Sequence, residues 1–446
     1  MRSRTDGTAK RRAASLRTGC IAVLVSAMSV AGAFPAAAQM RAIRFGRLVD
    51  GTGRVLDDAV VVIERDRIVR VGSGDAAVPA GAAVIDLRRY TGLPGLIDVH
   101  THMTYYWDRK PGTSPWRQGG TRTPSQTVEL AAENARRTLE SGVTTVRDLG
   151  ASNHTDILMR DRIVAGAIVG PRMVVSAYGL QRIRPQAGNA PADPNAPSPV
   201  LRGRVADVSQ VAAAVQAQVD AGADVIKMYG STGSGADVTG NQTFSFEEMR
   251  AAADAAHGLG RRIAIHSYGP AGGRDAVRAG AESVEHAIDL DDATLAEMAR
   301  RGTVYVPTID HNRYYAEYRA DFGYTDEQAI ALDAFRQKNL ETTRRAFHAG
   351  VTVAMGSDAV FHMFGQNTRE LRWFVAAGMT PAQALQTATV NAAALLGMEK
   401  DIGEVTPGRF ADIIAVDGDP LSDIDAVLYR VRWVMKGGAV VVDLAR

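Results

Sequence analysis

Cysteine is almost missing from this sequence. The 446 residues contain one, Cys20, so neither a disulfide framework nor a cysteine-based zinc site can organise the fold. An excess of one charge is missing as well. The formal net charge is +2, and residues 1–39 hold six basic side chains against one acid. Without that segment 45 basic and 48 acidic side chains remain, a net of −3. Such a body has no electrostatic reason to bind nucleic acid or an anionic membrane. No internal repeat is visible, and no apolar run reaches the roughly 20 residues of a transmembrane span. What is present, 46% hydrophobic and 22% charged residues, is ordinary globular composition and argues against long disorder.

The first 39 residues read as a secretory signal. A basic start (Arg2, Arg4, Lys10, Arg11, Arg12, Arg17) precedes an apolar stretch from about Cys20 to Phe34, and Ala36-Ala37-Ala38 supplies small residues before Gln39. The expectation is an exported, periplasmic protein whose mature chain starts near Gln39 and contains no cysteine. Arg11-Arg12 leaves the twin-arginine route open beside the general one, and an uncleaved anchor is the alternative to cleavage. After cleavage no membrane partner is expected.

Beyond the signal, Ala42–Val49, Ala59–Ile63, Ile68–Val71 and Ala83–Leu87 are short apolar or alternating runs with no helix between them, a small β module. From Leu96 the pattern changes. Eight short apolar runs alternate with helical periods: Leu96–His100, Thr144–Asp148, Met173–Ala177, Asp224–Met228, Arg262–His266, Ser283–His286, Thr303–Pro307 and Val351–Met355. Ser245 with Glu248, and Thr325 with Gln328, form capping boxes. Thr380-Pro381 with Gln383 marks another helix start. Eight strand–helix units predict an α/β fold, a (β/α)₈ TIM barrel. Strands return at Asp412–Val416, Val431–Met435 and Val440–Val442. The chain thus divides into a signal (1–39), a β module from both ends (40–93 and 397–446), expected as a small β-sandwich, and a barrel (94–396). Two segments after barrel strands are too long for ordinary turns: Tyr105–Gln126, rich in Tyr and Trp (Trp116 among them), and Tyr178–Gly203. Long loops at that end of a barrel wall the active site.

Chemistry collects at the strand ends. In His100-Thr101-His102 the two imidazoles are two residues apart, so in a strand they share a face and can reach one metal. Lys227 ends the fourth run, where an ammonium is costly unless paired, modified or neutral. His266 ends the fifth run, His286 the sixth, and Asp358 follows the eighth. The barrel brings these residues to one rim, and imidazole with carboxylate suits zinc and similar ions.

At these residues the sequence resembles the amidohydrolase superfamily. The match runs through Gly95-Leu96-Ile97-Asp98-Val99-His100-Thr101-His102, Lys227, His266, His286 and Gly356-Ser357-Asp358. It continues in Thr389-Val390-Asn391-Ala392-Ala393 and in the segment from Gly403 to Ile414. It is similar to the binuclear type with a carboxylated lysine, and to the imidazolonepropionase-like group that holds Xaa-Pro dipeptidases and ochratoxin-hydrolysing enzymes. The resemblance implies two divalent metal ions, zinc being expected. His100, His102 and Asp358 would bind one, His266 and His286 the other, and CO₂-derived carboxylation of Lys227 would bridge them. It implies a shared water activated as hydroxide, and Asp358 as the group that carries its proton to the leaving nitrogen. It also implies a homo-oligomer.

Further candidates are Tyr268, as a donor to the substrate carbonyl or a packing residue, and Tyr229 beside it. His362, His311, Arg313 and Arg182 are candidate substrate contacts, with Arg184 and His154 as rivals; Arg suits a carboxylate because its fork pairs both oxygens. His257 and His348 fall in helices and read as structural. One departure stands out. Many dipeptidase-like relatives carry Thr-Gly-Gly-His after the third strand, where this chain reads Ala177-Tyr178-Gly179-Leu180, which weakens the transfer of Xaa-Pro specificity and leaves the class of amide bond open. The leading expectation is a metal-dependent hydrolase of an amide or peptide C–N bond in a small molecule or short peptide, such as a dipeptide or N-acyl amino acid. Hydrolysis of cyclic amides, lactones or other esters is the alternative chemistry. An exported metal-binding protein without catalysis is the alternative class, opposed by the complete ligand set.

Overall fold

The structure, a computed structural model, describes residues 40–115, 122–183 and 198–445. The signal at 1–39, Trp116 and Arg184 lie outside the described residues.

Seven parallel strands build most of the barrel. Leu96–Thr101, Val143–Asp148 and Arg172–Val175 pair in that order. Val225–Tyr229, Arg262–His266, Ser283–Glu285 and Val304–Val306 form the second arc. Helices cover the outside, so the strands are buried on both faces and their near-continuous apolar runs follow from that position. Inward, Val225, Ala264 and Leu149 pack together; outward, Ile226, Met228, Ile263 and Ile265 meet the helix residues Met249, Ala252 and Ala256. The expected capping boxes close at Ser245 and Thr325, and the expected helix start at Thr380 closes as a capping box too.

Two seams join the arcs. At one, Asp224 donates its N–H to the Val175 carbonyl at 2.7 Å, and Leu180 bridges Met228. At the other the eighth run inserts between the seventh and first strands: Val353 bridges Tyr305, and the Val99 N–H donates to Met355 at 2.8 Å. Here the structure corrects the expectation. Val351–Met355 is held by an isolated bridge instead of a regular ladder, because the chain leaves it through Gly356 and the left-handed Asp358, φ 52°. The sixth strand likewise stops at Glu285, since His286 turns out of it with φ 71°.

Both chain ends meet in one seven-stranded mixed sheet. Its order is Ala439–Asp443, Val431–Lys436, Ile413–Val416, Ala83–Pro94, Arg41–Val49, Val55–Glu64, Arg67–Ser73. Ile68 from one edge and Trp433 and Met435 from near the other share one apolar cluster, so the sheet folds over itself as a β-sandwich. Its long strand Ala83–Pro94 passes through Gly95 directly into the first barrel strand.

The inner wall beneath the rim is tight at Gly356. A Cβ there would sit 2.5 Å from Val306 Cγ1 and 2.7 Å from the His100 Cβ. Gly356→Ala is therefore expected to lower the thermal midpoint in a melting experiment, with an overpacking cost of about 1–3 kcal/mol. Gly258→Ala, at the end of the helix Phe246–Gly258 with nothing within 4 Å, should leave the midpoint unchanged or raise it.

Candidate metal centre

The residues that the sequence places at strand ends do share one space. His100, His102, Lys227, His266, His286 and Asp358 all line a cavity of about 150 Å³ at the carboxyl ends of the strands. His100, His286 and Asp358 present donor atoms that all lie within 4.8 Å of one another. The same Asp358 oxygen, Oδ1, is 3.2 Å from His102 Nε2 and 3.6 Å from His100 Nε2.

Three of the imidazoles are oriented by their other nitrogen. His100 Nδ1 meets Glu285 Oε2 at 2.8 Å, His102 Nδ1 the Gly150 carbonyl at 2.9 Å, and His286 Nδ1 the Thr308 hydroxyl at 2.6 Å. The Nε2 atoms are thereby left for the cavity, the arrangement of metal-ligating histidines. His266 Nε2 is buried with no hydrogen-bond partner among the described residues, a costly state that a bound cation relieves.

The electrostatics favour neutral donors. Burial, with the Lys227 charge adding to it, pushes His100 down to about 4 and His266 down to about 3. Burial and the neighbouring imidazoles put His286 well below its ordinary value. Their lone pairs are free to bind a metal at neutral pH. His102 moves the other way: burial lowers it, but the Asp358 carboxylate outweighs burial and raises it. Burial would raise Asp358 too, yet the surrounding imidazoles hold it well below the carboxylate range. Lys227 is pushed down to about 8 by burial, against the pull of Glu285 and Asp358. It makes no salt bridge among the described residues, so its neutral amine is accessible.

Backbone strain concentrates at this rim. Asp358, His286 and Thr308 are non-glycine residues in the left-handed region, φ 52°, 71° and 54°. Such positions cost of order 1–3 kcal/mol each and persist where surrounding structure over-determines them. For Asp358 the determinant is visible. The buried Asp98 carboxylate accepts hydrogen bonds from the Ser357 N–H (2.9 Å), the Ser357 hydroxyl (2.5 Å), Asn367 Nδ2 (2.9 Å) and the His100 N–H (3.2 Å). One side chain thus fixes the His-x-His strand against the Asp358 turn.

Of the remaining candidates, Tyr268, Tyr229 and His311 line the cavity. The Tyr268 ring stacks on His266 at 4.9 Å. Gly179 lets Tyr229 in, since a Cβ there would fall 2.3 Å from its ring. His311 is not free to meet a substrate acid group: its Nε2 is 3.3 Å from Asp358 Oδ2, and its Nδ1 is 2.8 Å from the Asp358 carbonyl. The other candidates face elsewhere. Arg313 is turned along its helix, Ile309–Glu317, onto Asp310 at 2.7 and 2.9 Å. Arg182 pairs with Glu248. His362 follows Phe361, whose φ of 51° reverses the chain. Its ring sits among Trp107, Tyr314 and Tyr318 and lines a separate cavity of about 430 Å³. His154 packs on Tyr178, and His257 pairs with Glu282.

The sequence reading passed over Arg147 and Glu285, a fully buried ion pair at 2.9 Å beneath the cavity. The signal was present in the same form as for Lys227, a charge inside an apolar strand. Tyr105 and Tyr315 also line the cavity. Tyr105 belongs to the aromatic first loop, whereas nothing local marks Tyr315.

Known proteins resemble this chain over nearly its whole length. The sequence pattern described as the amidohydrolase family matches residues 91–441. Ochratoxinase of Aspergillus niger is 30% identical over 438 residues, spanning 90% of this chain and 86% of that protein. Imidazolonepropionase of Nocardia farcinica is 28% identical over 391 residues, spanning 81% and 85%. Among solved structures, a Xaa-Pro dipeptidase with bound methionine in the active site matches with a TM-score of 0.81 at 32% identity, over 90% of this chain and 99% of that one. A TIM barrel with its β-sandwich, a rim of metal-binding donor types and these relatives together place the chain in the amidohydrolase family.

Proposed function

We propose that this protein hydrolyses an amide C–N bond of a small substrate, a dipeptide, an N-acyl amino acid or a similar molecule, at a centre of two divalent ions. The observation that carries the proposal is the single cavity in which neutral imidazoles, a depressed lysine and an ionised Asp358 converge. The His266 Nε2, unpartnered among the described residues, and the nitrogen-and-oxygen donor set fit zinc. His100, His102 and Asp358 would hold one ion, His266 and His286 the other, with carboxylated Lys227 shared between them. Bound there, the ions would polarise the scissile carbonyl and lower the pKa of water.

The chain's own residues do the rest. Asp358 accepts the proton of the attacking water and passes it to the leaving nitrogen, while His311 holds its second oxygen in place. Tyr268, buried against His266, is placed to donate to the carbonyl oxygen. Tyr105, Tyr229 and Tyr315 offer an aromatic wall for an apolar substrate group. The identity to ochratoxinase and to a Xaa-Pro dipeptidase supports an amide substrate. The identity to imidazolonepropionase keeps a cyclic amide as the second reading. Residues 1–39 support export to the periplasm.

The purified protein should contain about two metal equivalents, since the donor set supplies two sites of three or four ligands, and chelation should abolish turnover. Full activity in metal-free protein sinks the reading. A panel of dipeptides, N-acyl amino acids, cyclic amides and lactones then separates the substrate classes.

Lys227→Ala is expected to lose at least one metal equivalent and nearly all activity while the barrel still folds. Short carboxylic acids should restore part of the rate by standing in for the carbamate. Wild-type metal content and rate in this variant would show that Lys227 bridges nothing. Asp358→Asn should keep much of its metal, because an amide oxygen still coordinates, but lose turnover by roughly 10²–10⁴-fold for want of the proton carrier.

A further inference from the structure

Two of the barrel's inward side chains that the hydrolytic chemistry does not itself use form a polar chain ending on His100. Glu285 lies on the sixth strand, Arg147 on the second and His100 on the first. Glu285 Oε2 meets His100 Nδ1 at 2.8 Å. Its other oxygen accepts from Arg147 Nη2 at 2.9 Å and from the Ser283 hydroxyl at 2.5 Å. Arg147 is pinned in turn, donating from Nε to the Val99 carbonyl at 2.6 Å and from Nη1 to the Ser283 hydroxyl at 3.0 Å. Arg147 is 2% exposed and Glu285 not at all.

Stability alone is a poor reason for such a pair. Taking two charges out of water costs several kcal/mol per ion, and apolar residues of similar volume often serve a core as well or better. The pair instead ends on a candidate metal ligand, and it does so selectively. His102 and His286 are oriented by neutral acceptors, a backbone carbonyl and a hydroxyl. His100 is oriented by a carboxylate. An anionic acceptor on one ring nitrogen fixes the tautomer and makes the other nitrogen a stronger donor.

We propose that Glu285, braced by Arg147, is a positioning residue that holds His100 with Nε2 toward the metal and makes the ion on His100 the more tightly bound of the two. This inference rests on the two-metal reading above. Neither residue touches substrate; both act through His100.

The test is a metal titration of the apo-protein with zinc, and with cobalt(II) followed by its visible spectrum. Two variants are compared with the wild type. Arg147→Met/Glu285→Met replaces the pair by apolar side chains and leaves no unpaired charge. Glu285→Asp keeps the charge but shortens the side chain by one carbon, about 1.5 Å. Wild type should bind two equivalents with unequal affinity. Both variants should weaken the tighter equivalent by roughly 10- to 100-fold, leave the other within about 2-fold, and shift the cobalt spectrum. Unchanged affinities and spectrum in folded variants overturn the proposal, as does equal weakening of both equivalents, which marks a merely structural pair. If the double variant does not fold, Glu285→Asp decides by the same titration. Wild-type protein that binds no metal would instead bring down the two-metal reading itself.

Discussion

One buried carboxylate carries more of this architecture than any other group. Asp98 joins the first barrel strand to the Ser357–Asp358 turn at the point where the eighth run is too irregular to close the barrel by a ladder of its own. Burial pushes Asp98 up to about 6 against four hydrogen bonds that pull it down. The group thus sits in a place where it is tolerated only because every lone pair is used. Closing the barrel and setting His100 and Asp358 side by side are the same event, performed by the same side chain.

The site is built as a balance between burial and opposite charge. His100, His266 and His286 are kept neutral by desolvation, Asp358 and His102 favour each other's charged form, and Lys227 makes no salt bridge among the described residues. Such divergent environments within a few ångströms are how a site holds different protonation states at one pH. The left-handed Asp358, His286 and Thr308 show that the backbone bears part of the cost.

How much of this could be read beforehand depended on range. The barrel and its donor set were legible because both follow from local rules: apolar runs of strand length, side chains alternating across a strand, and polar residues at run ends. The placement of His100, His102, Lys227, His266, His286 and Asp358 on one cavity agrees with that reading. Loop residues were not legible in the same way. Arg313 was lost to Asp310 by a helical spacing of three residues, and His362 was turned aside by the left-handed Phe361. Neither orientation is written in a strand period. Arg147 and Glu285 carry the same local mark as Lys227, a charge inside an apolar strand. Their partnership spans the barrel, and no single-strand pattern reveals a partner.

The folded-over sheet sets an order of events for a newly made chain. Strand Ala83–Pro94 needs Arg41–Val49 on one side and Ile413–Val416 on the other. The second neighbour is synthesised only after the whole barrel. Until then the strand that feeds the barrel has an open apolar edge, the kind of surface that mispairs. Pairings so distant in sequence also form slowly. A chain built this way gains little by folding as it emerges and much by remaining unfolded until its last strands exist.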